Sequence, residues 1–86
     1  MPRFIAVHTM PMTKDQAMEM TKKLPPLPKG VTWKQTYSDF KDGKFFCEWA
    51  APNKESIEQV LKNWKMPYDA IYPVELYDVA KKKFID

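Results

Sequence analysis

The chain has 86 residues, 44% of them hydrophobic and 29% charged, and a formal charge of +3. That balance excludes disorder and leaves room for one domain over residues 1–86, and twelve aromatics supply a core without staples. Arg3 is the single arginine among scattered lysines, which argues against a nucleic-acid surface, and no apolar run approaches the ~18 residues of a membrane span or builds a signal peptide. One cysteine excludes an internal disulfide framework and suits a reducing, cytoplasmic setting. Two glycines, Gly30 and Gly43, are too few for a phosphate-cradling loop, so no nucleotide cofactor is expected.

Arg3 to Thr9 begins the fold as a strand. Phe4, Ala6 and His8 alternate with Ile5, Val7 and Thr9, so both of its faces are largely apolar and it belongs inside a sheet. Met10-Pro11-Met12 breaks it. The run Thr13-Lys14-Asp15-Gln16 then fits a capping box, and Ala17, Met20, Thr21 and Leu24 follow at helical spacing up to Pro25-Pro26. Residues 31–52 form a hairpin around Asp42-Gly43. Trp33, Gln35 and Tyr37 are expected on one face of its first strand, while the dense Phe45-Phe46-Cys47-Glu48-Trp49 run marks its second as central. Asn53 caps a second helix whose Ile57, Val60, Leu61 and Trp64 fall at i, i+3, i+4 and i+7. Ile71 to Val79 reads as a last strand, with Pro73 marking an edge; Ala80 to Asp86 reads as a frayed tail or an extension onto another subunit.

Strand, helix, strand, strand, helix, strand predicts an α+β, ferredoxin-like βαββαβ fold. Its four-stranded antiparallel sheet has the first and third strands central and both helices on one face. The other face needs cover. A second copy packed sheet to sheet, in an assembly of the dimeric α+β barrel type with a cavity between, supplies it. An imidazole pressed under helices would need a buried partner, so Ile5 and Val7 are expected beneath the helices and His8 on the open side.

His8, Cys47 and Glu48 are the metal-grade side chains near the central strands. A histidine with a thiolate or carboxylate suits nickel, zinc or copper. Cys47 and Glu48 point opposite ways, so only one of them meets His8 without a bulge. Trp33 and Tyr37 are the expected walls of the cavity, with Glu48 as a further ligand-binding candidate. Two alternatives stay open. One is a small enzyme of the isomerase or monooxygenase type with His8 as proton carrier; the other is an interaction module whose open face is an interface.

The residues also resemble a family of small bacterial and archaeal domains long catalogued as of unknown function, one of which is described as nickel-binding. The matching features are His8 near the end of the first strand, Trp33 and Tyr37 in the hairpin, Cys47 before Ala51-Pro52, and Ile71-x-Pro73-Val74. The resemblance implies a ferredoxin-like fold, a homodimer and binding of nickel or a similar divalent ion. Ala50 stands where that family often has an acidic residue.

Overall fold

The structure, a computed structural model, describes residues 2–85. Its elements are β1 (Arg3–Thr9), α1 (Lys14–Lys22), β2 (Thr32–Asp39), β3 (Lys44–Ala50), α2 (Lys54–Asn63), β4 (Ala70–Val74), β5 (Leu76–Asp78) and β6 (Lys83–Ile85). Strands β2-β3-β1-β4 form one antiparallel sheet in that order, the ferredoxin-like arrangement. The two strands with apolar residues on both faces are the central ones, as their composition demands.

Both helices start where side chains satisfy free amides. Thr13 Oγ1 accepts from Gln16 N–H while Gln16 Oε1 accepts from Thr13 N–H, and Asn53 Oδ1 accepts from Ser56 N–H. The apolar stripe of α2 buries Ile57, Val60 and Leu61 against Phe4, Ala6, Trp49 and Ile71. Trp33, Trp49 and Trp64 pack together beside them; the first two are stacked, with centroids 5.5 Å apart.

This packing reverses the expected facing of β1. Phe4, Ala6 and His8 lie on the helix side with Phe45, Cys47 and Trp49, while Ile5 and Val7 look out on the open side. Local alternation allows either choice; the bulk of Phe4 and Trp49 against α2 decides it. A bulge decides the next point. Trp33 pairs with Trp49 and Gln35 with Glu48, leaving Lys34 as an extra residue. Trp33 therefore faces the helices, and Gln35 and Tyr37 face away, so the three do not share a face.

The open side is mixed in character. Gln35 Nε2 donates to Glu48 Oε1 at 2.8 Å and to Tyr37 Oη at 3.0 Å, and Arg3 Nε stands 3.0 Å from Glu48 Oε2 in a half-buried ion pair. Around that polar strip lie Ile5, Val7, Phe46 and Tyr72.

The expected last strand is two. β4 ends at Val74, whose partner Arg3 is the first residue of β1. β5 instead pairs with β6 in a separate ribbon, turned by Lys82 at φ 54°. Ala80 to Ile85 is thus part of a hairpin rather than a frayed tail; Asp86 lies outside the described residues. No helix among the described residues is long and apolar enough to cross a membrane.

Candidate functional site

Helix α1 buries none of its side chains, unlike α2. Between it and the sheet lies a cavity of about 410 Å³. The sheet contributes His8, Trp33, Phe45 and Cys47; the helix contributes Ala17 and Met20; Met10, Met12 and Met66 close the ends. Gly43 positions that near end. At φ +67° it makes the hairpin turn, its carbonyl accepts from Met10 N–H at 2.8 Å, and a Cβ there would meet Pro11 backbone at 3.4 Å. The hairpin tip thereby holds the methionine loop over the cavity mouth.

His8 is 1% exposed. Its Nδ1 lies 2.8 Å from the Pro67 carbonyl oxygen, which can only accept, so Nδ1 carries the proton in the neutral ring. Nε2 is then a lone-pair nitrogen; it is buried and has no hydrogen-bond partner in the protein. The buried partner that an imidazole beneath the helices requires therefore exists, but 59 residues away in sequence. How Pro67 comes to lie there follows from the end of α2. Lys65 N–H reaches Lys62 O and Met66 N–H reaches Leu61 O, the paired closure of a Schellman motif, with Lys65 at φ 55°. The chain then turns so that Pro67 meets His8, and Asp69 N–H bonds Val7 O to start β4.

Cys47 shares the helix-side face with His8 and lines the same cavity. Trp33 Nε1 donates to Thr36 Oγ1 at 2.8 Å, and Thr36 Oγ1 donates to Cys47 Sγ at 3.3 Å. Burial pushes the Cys47 thiol up, and the hydrogen bonds from Thr36 and Trp33 pull partly the other way. At neutral pH it is a thiol, which rules it out as a ready nucleophile.

Of the residues singled out from sequence, the fold brings together His8, Cys47 and Trp33. It sends Tyr37 and Glu48 to the opposite face, where Glu48 is held by Arg3 and Gln35. The methionine lining and the Pro67 carbonyl were missed. Met10, Met12 and Met20 gave a sequence signal as a cluster of flexible apolar side chains flanking the capping box; nothing local pointed to Pro67.

The donor set decides what metal chemistry fits. Among the described residues no three His, Cys, Asp or Glu side chains converge. The lone pair of His8 Nε2 fits one coordination position, with its other nitrogen hydrogen-bonded to a carbonyl as metal-bound histidines are. A complete protein shell for a bare nickel ion is not met within these residues.

A family model described as "Nickel responsive protein SCO4226-like" matches residues 4–74. Among solved structures, the crystal structure of SCO4226 from Streptomyces coelicolor A3(2) is similar over 86% of this chain and 96% of that one, at 23% identity and a TM-score of 0.69. That likeness carries the fold. No curated protein gave a significant match. The β5–β6 ribbon falls beyond the matched residues.

Proposed function

The chain belongs to the SCO4226-like family of nickel responsive proteins, and on that premise we propose that it is a small, single-domain, cytoplasmic binding protein that anchors a divalent transition-metal species on His8. The observation that supports this reading is the Nε2 of His8: buried, unpartnered, and left with its lone pair by the Nδ1 bond to Pro67. Cys47, on the same face, is the second contact, and Trp33 forms a wall. As a contact to the metal, Cys47 would give up its proton, because the thiolate is the ligating form.

In the same reading two copies meet through the open sheet face. Its support is exposure of large side chains on a regular surface: Tyr37 at 60%, Phe46 at 40% and Tyr72 at 54%. Tyr37 and Glu48 then serve the interface rather than the bound species.

Both halves are testable. Nickel(II) titrated calorimetrically into chelator-treated protein is expected to bind, and His8→Gln to weaken it at least about tenfold. Equal binding, or equal absence of binding, in the two proteins removes the metal reading. Sedimentation equilibrium is expected to give a dimer that Phe46→Lys dissociates; a monomer at high concentration removes the dimer.

A further inference from the structure

We propose that the cavity beneath α1 is a binding site for a small, neutral aromatic molecule, held by thioether and ring contacts and by no donor atom of His8 or Cys47. Three observations converge on this. The first is where the methionines lie. Five of the chain's six, Met10, Met12, Met18, Met20 and Met66, line this one cavity. They arrive from the loop before α1, from α1 itself and from the segment after α2. Methionine commonly fills irregular gaps in a core, but here a gap of about 410 Å³ stays open. Four of the five are half-buried and Met18 is 58% exposed. Flexible, polarisable side chains grouped around unfilled space suit an adaptable organic site.

The second is the polarity of the wall. Thr36 Oγ1 accepts from Trp33 Nε1 and donates to Cys47 Sγ, and Thr21 Oγ1 donates to the Met18 carbonyl. Those groups are committed within the protein. Apart from His8, the remaining polar side chains of the lining are Lys14 and Ser38, and both are exposed. Ordered water needs about two to four polar partners, so this wall holds water poorly and an apolar occupant displaces it favourably. A charge or an unpaired donor carried inside would go uncompensated, which makes the occupant neutral.

The third is the set of rings. Trp33, Phe40 and Phe45 stand in the same wall, the two phenylalanines edge to face with centroids 5.7 Å apart. Rings favour edge and offset contacts with other rings, and thioether sulfur favours ring edges. The lining therefore suits an aromatic body better than an aliphatic chain of equal area. At an interior packing density of about 0.74, the cavity takes a body of up to about 300 Å³. α1, which buries none of its side chains, is the element that can yield to admit it.

N-phenylnaphthylamine, a neutral aromatic that fluoresces strongly in apolar surroundings, is a probe of this class. Titrated into the chelator-treated full chain, it is expected to bind once per chain and to raise the urea midpoint. Two variants on α1 locate the site: Ala17→Leu narrows the cavity, and Met20→Lys sets a charge in its wall. Neither replaces a buried side chain, and each is expected to weaken the probe at least about tenfold. Phe46→Lys on the open sheet face and Phe84→Lys on the β5–β6 ribbon alter exposed apolar surface elsewhere and are expected to leave the affinity unchanged. Naphthalene is expected to displace the probe at least about fivefold more effectively than octanol. Absence of binding overturns the proposal, as does binding that survives both α1 variants. Octanol competing as well as naphthalene also overturns it, by making the cavity an unselective apolar space. Because no metal is present in these titrations, their failure leaves the His8 reading to its own nickel test.

Discussion

The two helices lie on one face of one sheet and do opposite work. α2 presses Ile57, Val60 and Leu61 into a bed of Phe4, Ala6, Trp49 and Ile71 and ends in a closed Schellman motif. α1 is capped as carefully at its start, yet buries nothing and stands over a cavity. The difference shows that capping and packing are separable. Thr13 and Gln16 define where α1 begins, but its mixed face of Ala17, Met20 and Thr21 does not pull it down onto the sheet. One helix holds the fold together, and the other roofs a chamber.

The sharpest way to break that contrast is to truncate one side chain under each helix. Leu61, fully buried, is expected to cost about 3 kcal/mol as Leu61→Ala. Met20→Ala on α1, where no side chain is buried, is expected to cost below about 1 kcal/mol. Urea unfolding measures both. Comparable losses would mean that α1 contributes to the core as α2 does.

How far the contrast was readable beforehand depends on which information is local. The capping box of α1, the Asn53 cap and apolar stripe of α2 and the limits of β1 follow from neighbouring residues, and the sequence pattern located them. The facing of β1 does not. Phe4-Ala6-His8 and Ile5-Val7 are both apolar enough to be buried, and only the demand of α2 for the bulkier set distinguishes them. The bulge at Lys34 likewise separates Trp33 from Tyr37 through pairing with β3, which no period-two reading contains. His8 and Pro67 meet through the closing geometry of α2, so the ring's partner was invisible from either segment alone. Local rules found the elements; nonlocal packing chose the site.

Two substitutions sharpen the comparison by strengthening each side. Ala17→Leu, filling space under α1, is expected to raise stability by about 1.5 kcal/mol if the cavity can accept it. A loss of stability instead would mean that the cavity is already closed to added volume. On the other side, Lys65 holds the left-handed position that ends α2 at φ 55°, where a side chain is strained. Lys65→Gly is expected to gain about 1 kcal/mol, read as a raised urea midpoint with an unchanged slope. No gain would place the strain elsewhere in the closure.

The smallest effect tests the chamber's chemistry through pH. Burial raises the Cys47 thiol in the folded chain above its unfolded value. In the ordinary thiol range the unfolded chain therefore releases this proton first, and unfolding is favoured as pH climbs. The stability tied to the neutral thiol is complete below that range and is lost as pH rises through it towards the folded value. Urea midpoints between about pH 8 and 10 are expected to fall more steeply for the wild type than for Cys47→Ala, whatever the offset between them. Thr36→Val removes the hydroxyl that donates to Sγ, raises the thiol further, and is expected to carry the decline to higher pH. Identical profiles in all three proteins would assign the alkaline loss to lysines and tyrosines, and would leave the buried sulfur with no electrostatic part in holding the cavity wall.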